Sequence, residues 1–180
     1  MNKPKIFFIT GTNSAGKSTI VPLLKKSLSG LFLVYDFDEV GVPKNVDAKW
    51  RQKTTNHWLD IGIKNAKKKI TTVICGLTKP HEIYENIKKK NKVSVKICLL
   101  DVSANEITKR LKKRFKKPGS VKNLKKITGL TVNQCIKVNI IHAREMRKEC
   151  KKFKCKIFNT SGITPCKTTA RIIKWIYSIK

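Results

Sequence analysis

Acidic residues are scarce in this chain. Of its 180 residues only 11 are Asp or Glu, against 41 Lys or Arg, so the formal net charge is +30. Long apolar runs are also missing, since none approaches the roughly 20 residues that cross a bilayer. The apolar run at residues 6–10 is too short for a signal-peptide core, and no small-residue cleavage site follows it. We therefore expect a cytoplasmic protein with no membrane partner.

Cysteines at metal-binding or disulfide spacing are lacking as well. The chain has six cysteines but no Cys-x-x-Cys pair, and the nearest pair, Cys150 and Cys155, has no histidine beside it to complete a zinc site. Cys75 and Cys98 fall inside predicted core strands, where a thiol behaves as a small hydrophobic group. This pattern predicts free thiols in a reducing compartment.

Arginine is rare among the basic residues, with six Arg against 35 Lys. A large positive charge is typical of proteins that bind nucleic-acid phosphates. However, the lysines are spread over all the predicted helices, and Asn and Ile, which share A/T-rich codons with Lys, are also plentiful. A solvated surface of compositional origin is the favoured interpretation, and a surface for polyanions is the alternative.

Short apolar runs alternate with helical patterns along the whole chain. The predicted strands cover residues 6–10, 31–35, 70–75, 93–102 and 155–159, and the predicted helices cover 16–28, 47–69, 81–89, 103–115, 132–151 and 168–179. This alternation predicts one α/β domain over residues 1–180, with a five-stranded parallel sheet and helices on both faces. Lysine-rich residues 116–131, broken by Pro118-Gly119, are predicted to form a loop or mobile lid. Ligands of such folds bind beyond the carboxyl ends of the strands.

The first predicted strand is followed by the pattern G-x-x-x-x-G-K-[ST], with no mismatch. Its glycines let the backbone N–H groups wrap around phosphates, at the positive end of the next helix. Lys17 is predicted to act in catalysis by reaching the β and γ phosphates, and Ser18 to bind Mg²⁺. The predicted nucleotide-binding residues of this loop are Gly11, Thr12, Asn13, Ser14, Ala15, Gly16, Lys17, Ser18 and Thr19. Pro22, in the second turn of the helix, predicts a kink.

A carboxylate is missing where many phosphate-loop proteins have a magnesium-orienting aspartate, because the third strand ends at Cys75-Gly76. Strand two instead ends in Asp36-Phe37-Asp38. Alternate residues of an extended backbone point to the same side, so both carboxylates are predicted to face the cleft. Asp36 would help to hold Mg²⁺, and Asp38 would orient or deprotonate an acceptor hydroxyl. The alternative is a solvated acidic turn.

The P-loop and the segments YDFDEVGVP, WRQKTT, ICG and LLDVS resemble the small P-loop kinases grouped with shikimate, gluconate and adenylate kinases. The resemblance covers nearly the whole chain and implies the three-layer P-loop NTPase fold with a small lid, at roughly residues 112–131. It also implies transfer of the γ-phosphate of ATP to a small acceptor, with Mg²⁺ as cofactor. In shikimate-kinase-like members the first Asp of the pair assists the metal and the second contacts the acceptor. The glycine triplet that shikimate kinase has after strand three is reduced here to Gly76, so Gly76 is kept as a substrate-binding residue but shikimate itself is not expected.

Three arginines complete the predicted site. Arg51, on the second helix, is predicted to bind an anionic group of the acceptor, with a surface position as the alternative. Arg110 and Arg114 lie four residues apart on one helix face, where related kinases place lid arginines. Arg110 is predicted to bind nucleotide and Arg114 to act in catalysis, although Glu106 could simply pair with Arg110. Thr160-Ser161-Gly162 is expected near the adenine.

The sequence thus predicts an ATP-dependent small-molecule kinase whose acceptor bears a hydroxyl or a phosphate. The alternative is an ATP-dependent nucleic-acid-binding protein or a polynucleotide end kinase, which the charge favours. No RNA-binding motif is recognisable, and aromatic residues make up only 7% of the chain, so few are available for base stacking. A regulatory GTPase is disfavoured because the guanine-reading pattern Asn-Lys-x-Asp is absent.

Overall fold

A computed structural model describes residues 5–43, 46–88 and 94–179. Within these ranges, five strands form one parallel sheet in the order β2-β3-β1-β4-β5. The strands are β1 Lys5–Thr10, β2 Phe32–Asp36, β3 Thr71–Cys75, β4 Ser94–Asp101 and β5 Lys156–Asn159. The helices are α1 Lys17–Ser27, α2 Ala48–Lys67, α3 Pro80–Lys88, α4 Ala104–Arg114, α5 Ser120–Thr128, α6 Val132–Lys152 and α7 Pro165–Ser178. The predicted α/β fold is confirmed; the predicted ends at residues 89 and 93 lie outside the described residues.

Helices cover both faces of the sheet because the central strand is apolar on both sides. Phe7 and Ile9 of β1 pack into a cluster with side chains of α1, α4 and α7. Ile6 and Phe8, which point the other way, pack into a second cluster with side chains of α2 and α3. Every residue of β1 is buried, so the loop that follows β1 starts from the core of the sheet.

Hydrogen bonds from capping side chains confirm two predicted helix starts. The Asp47 carboxylate accepts the backbone N–H of Trp50 at the start of α2. The Ser103 hydroxyl accepts the backbone N–H of Glu106 at the start of α4. Each side chain satisfies one of the free N–H groups of a helix N-terminus.

The predicted loop at residues 116–131 is wrong, because α5 occupies Ser120–Thr128. Gly119 and Gly129, both with left-handed backbone angles (φ 73° and 70°), bound this helix, and the buried Leu124 attaches it to the core. The high lysine content hid a short amphipathic pattern. Helix α1 runs continuously through Pro22.

All six cysteines are free thiols, as predicted, and Cys75 and Cys98 are fully buried in their strands. Burial raises the pKa of both thiols above the usual value, so they stay protonated and serve as small core groups. None of the helices in the described ranges is long and apolar enough to cross a membrane.

Candidate active site

The loop between β1 and α1 forms a compact curve at the carboxyl end of the sheet. The N–H of Ala15 donates to the carbonyl of Thr12 (3.1 Å), and Gly16 adopts a φ of 102°, which favours glycine. Helix α1 starts at Lys17 with no side-chain cap, so its first N–H groups are available to an anion. Lys17 Nζ donates to the carbonyls of Gly11 (2.7 Å) and Thr12 (2.8 Å), which places the ammonium inside the curve.

A cavity of about 270 Å³, cavity B, lies over this loop. It brings together six of the nine predicted nucleotide-binding residues of the loop and three residues from distant parts of the chain. Its lining comprises Asn13, Ser14, Gly16, Lys17, Ser18, Thr19, Asp38, Leu77 and Arg114. The side chain of Arg114 is exposed and makes no hydrogen bond or ion pair with the rest of the described chain, so its guanidinium is available to a ligand in cavity B.

Lys17 and Asp38 are electrostatically linked across cavity B. Burial lowers the pKa of the Lys17 ammonium to about 8, and the carboxylates of Asp38 and Asp36 oppose that shift. Burial also raises the pKa of Asp38, and repulsion from Asp36 raises it further, while Lys17 lowers it. Asp38 is therefore a better proton acceptor than an exposed aspartate.

The two aspartates differ in backbone position, contrary to the prediction from an extended strand. Asp36 is the last residue of β2, but residues Phe37–Val40 form a 3-10 helix, and the Asp36 carboxylate caps it by accepting the N–H of Asp38 (3.1 Å). This 3-10 helix places Asp38 in the lining of cavity B. Asp36 pairs in register with Cys75, so a carboxylate stands one strand away from the position where the magnesium-orienting aspartate is missing, a spacing of about 4.8 Å.

Arg110 joins the phosphate loop to the loop after β5. Its guanidinium donates to the carbonyls of Ser14 (3.0 Å) and Thr160 (2.7 Å), and its Nε pairs with Glu106 (2.9 Å). Arg110 and Thr160 line cavity A, of about 320 Å³, together with Ser14, Ala15, Gly16, Thr19, Ile20, Ile163, Pro165 and Thr168. The pairing with Glu106, which was the alternative for Arg110, is present, and Arg110 also contacts the phosphate loop through Ser14. Its role in binding nucleotide stays a prediction.

A third cavity, cavity C, of about 540 Å³, lies on the far side of Asp38. It is lined by Asn13, Asp38, Val42, Val46, Asp47, Trp50, Arg51, Leu77, Ile127 and Thr128. Arg51 lines this cavity, but its Nε is paired with the Glu82 carboxylate at 3.0 Å, and its binding of an anionic acceptor group stays a prediction. Asp38 lines both cavity B and cavity C, as do Asn13 and Leu77, so the two cavities adjoin at these residues.

Gly76 packs against the turn that carries the aspartates. Its N–H donates to the carbonyl of Ile9 (3.0 Å), and a Cβ at this position would lie 1.9 Å from the Cβ of Phe37. Gly76 is not among the residues that line cavity C. The close approach of Phe37 explains the glycine by packing, and the substrate-binding role stays a prediction.

Several residues that line cavity C, or pair with a residue that does, carried no local signal in the sequence. Glu82 pairs with Arg51 across 31 positions, and no spacing rule connects two residues so far apart. Ile127 and Thr128 belong to the helix that was predicted as a loop. The available signal was the apolar residues Val121, Leu124 and Ile127, three positions apart within that lysine-rich segment.

No protein-family model matches the chain, and no curated protein sequence matches it. Solved structures do match in shape. The shikimate kinase from Bacteroides thetaiotaomicron aligns with a TM-score of 0.61 and 18% identity over 97% of this chain and 99% of its own. A sugar kinase from Janibacter sp. HTCC2649 aligns with a TM-score of 0.56 and 14% identity over 96% and 94%.

The chain has the P-loop kinase fold. A chain of the Pnkp1/Rnl/Hen1 RNA repair complex also shares it, with a TM-score of 0.56 and 13% identity over 82% of this chain. This chain spans 46% of that longer protein.

The residues at this end of the P-loop kinase fold suit magnesium that arrives with a nucleotide. Among the described residues, no cluster of three His, Cys, Asp or Glu side chains could hold a metal ion by itself. Ser18 supplies a hydroxyl to cavity B, and Asp36 supplies a carboxylate beside Asp38. Mg²⁺ prefers one or two such oxygen ligands together with phosphate oxygens and water, so the donor set fits the ion.

Proposed function

We propose that this protein transfers the γ-phosphate of ATP to a hydroxyl group of a small acceptor, with Mg²⁺ as cofactor. The observation that carries the proposal is that Lys17, Ser18, Asp38 and Arg114 line one cavity over the phosphate loop. Cavity A, beside Arg110 and Thr160, is placed for the nucleoside, and cavity C for the acceptor. The fold shared with a shikimate kinase and a sugar kinase supports the same reaction class.

Each residue has a defined part in this reaction. The N–H groups of the loop and the Lys17 ammonium bind the β and γ phosphates. Ser18 and Asp36 would hold the magnesium ion, which supplies positive charge to the phosphate oxygens. Arg114 stabilises the negative charge on the group being transferred, because it lines cavity B with a guanidinium that has no partner among the described residues.

Asp38 acts on the acceptor. It orients the acceptor hydroxyl and takes its proton as the oxygen forms a bond to the γ-phosphorus, while the bond from that phosphorus to the bridging oxygen of ATP breaks and ADP leaves. The raised pKa of Asp38 assists the proton transfer. Its position between cavities B and C puts the carboxylate within reach of both reactants.

The test is turnover of ATP across a panel of hydroxyl-bearing acceptors, with Asp38→Asn as the diagnostic variant. We expect Asp38→Asn to bind Mg-ATP normally and to lose roughly 10²–10⁴-fold in turnover, as for removal of a general base. Glu39→Gln is the matched control, because Glu39 lies in the same 3-10 helix but pairs with Lys25 at the surface. Normal turnover by Asp38→Asn, or failure of the wild-type protein to bind Mg-ATP, would contradict the proposal.

A second candidate is phosphorylation of a nucleic-acid end. The net charge of +30 supports it, as does the fold shared with a chain of an RNA repair complex. Labelled ATP with a 5′-hydroxyl oligonucleotide tests it directly. Transfer of label to the oligonucleotide, with an affinity that falls steeply as salt rises, would favour this candidate over a small-molecule acceptor.

A further inference from the structure

Cavity C is lined by apolar side chains together with polar ones. The apolar part of the lining includes Val42, Val46 and Ile127, which are 52%, 44% and 62% exposed, together with Trp50. Exposed aliphatic side chains gathered around one cavity favour contact with an apolar surface of a ligand. The polar part of the lining includes Asp38, which also lines cavity B.

Arg51 is the one cation among the described residues that line cavity C, and Glu82 neutralises it. The Nε–Oε1 distance is 3.0 Å, and the Glu82 side chain is only 5% exposed. The other Glu82 oxygen accepts the backbone N–H of Lys79 (2.9 Å). Withdrawing Arg51 from Glu82 would leave a buried charge without a partner, which is strongly unfavourable.

The remaining charges of cavity C are negative. Asp38 and Asp47 both line it, and no further basic side chain of the described ranges does. Lys17 and Arg114 face cavity B, where the phosphates of the nucleotide would occupy them. An acidic group in cavity C would therefore meet two carboxylates and an arginine whose charge is already balanced. The ion pair uses Nε of Arg51, so its terminal nitrogens can still donate to an uncharged oxygen.

We infer that the acceptor is a hydroxyl compound with an apolar body and no acidic group, uncharged or cationic. This inference rests on the proposed function for the position of the transferred phosphate. It replaces the predicted role of Arg51 as a binder of an anionic acceptor group. A cationic amine is matched by the aromatic ring of Trp50 and the carboxylate of Asp47, which both line the same cavity.

Three probes of the same shape test this charge preference. They are 4-(hydroxymethyl)benzoate, 4-(hydroxymethyl)benzamide and 4-(hydroxymethyl)benzylamine, which share an apolar ring and one alcohol but are anionic, neutral and cationic. Binding is measured by calorimetry with a non-hydrolysable ATP analogue present, and phosphorylation is measured with ATP. We expect the amide and the amine to bind at least about tenfold more tightly than the acid, the equivalent of ~1.4 kcal/mol.

A charge-releasing variant sharpens the test. Glu82→Gln keeps the shape of the side chain but leaves Arg51 with its full charge, so the acid should gain about tenfold in affinity relative to the amide. Glu85→Gln is the matched control, because Glu85 lies on the same helix, contacts Gln52 at the surface and does not touch Arg51. The control should keep the preference of the wild-type protein.

The outcomes separate this inference from the proposed function. Tighter binding of the acid to the wild-type protein, or no binding of either the amide or the amine, overturns the inference even if ATP binds and other acceptors are phosphorylated. Failure to bind the ATP analogue overturns the proposed function, and the inference with it. Preference for the amide and the amine, together with a gain for the acid in Glu82→Gln alone, supports it.

Discussion

Gly76→Ala tests whether Gly76 supports the aspartate turn or contacts a substrate. A Cβ at residue 76 would lie 1.9 Å from the Cβ and 2.7 Å from the Cγ of Phe37. These atoms begin the Phe37 side chain and cannot swing away, so the backbone between Asp36 and Asp38 must shift. Overpacking of a core typically costs about 1–3 kcal/mol, and such a close approach puts the cost at about 3 kcal/mol.

The assay is thermal unfolding followed by circular dichroism, with turnover measured in parallel. In a domain of 150–250 residues, 1 kcal/mol shifts the melting temperature by about 2–4 °C, so Gly76→Ala should lower it by roughly 6–12 °C. Turnover should also fall, because the shift of Phe37 displaces both carboxylates, whereas the affinity for nucleotide at the loop should be retained.

Gly30→Ala is the control for general destabilisation. Gly30 has a φ of 71° and open space where a Cβ would be, so the substitution adds backbone strain of about 1–2 kcal/mol. Gly30 precedes β2, at the opposite end of the strand from the aspartates. The substitution should lower the melting temperature and leave turnover unchanged. If Gly76→Ala melted within about 2 °C of the wild-type protein and raised the KM for the acceptor, the packing argument would be refuted and a substrate contact favoured.

Three further predictions concern the nucleotide. Lys17→Met should weaken the binding of Mg-ATP by roughly 10–150-fold, since a hydrogen bond to a charged group contributes about 1.5–3 kcal/mol. Equal affinity of the variant and the wild-type protein by calorimetry would contradict the role of the loop. In the free protein Lys17 loses its proton as the pH rises through about 8. The phosphates require the ammonium, so ATP binding near pH 9 should take up a proton. Calorimetry in buffers of different ionisation enthalpy measures this proton uptake, and Lys17→Met should abolish it. Arg110→Ala should weaken the binding of a fluorescent ATP analogue by about tenfold, because the hydrogen bonds that join Ser14 and Thr160 through Arg110 are lost. The exposed Arg144→Ala should have no effect, and equal losses in both variants would point to net charge instead.

Most of the architecture could be predicted from the sequence because its causes are local. Residues 6–10 form an uninterrupted apolar run, and such a run before a glycine-rich loop is typical of a central parallel strand. Asp47 and Ser103 cap helices through bonds that span three residues. Helix α5 was not predicted because its nine residues contain three lysines and one buried side chain, Leu124. This pattern is too short and too polar to distinguish from a loop.

The sequence by itself determined the order of strands and helices and the phosphate loop, because consecutive residues encode both. The tertiary structure decided which charges balance and which face a cavity. Arg51 and Glu82 meet only when α2 packs beside α3, and Asp38 enters cavity B only because the chain tightens into a 3-10 turn over Gly76. Electrostatic and packing energies depend on distances in space, which residue spacing along the chain does not contain.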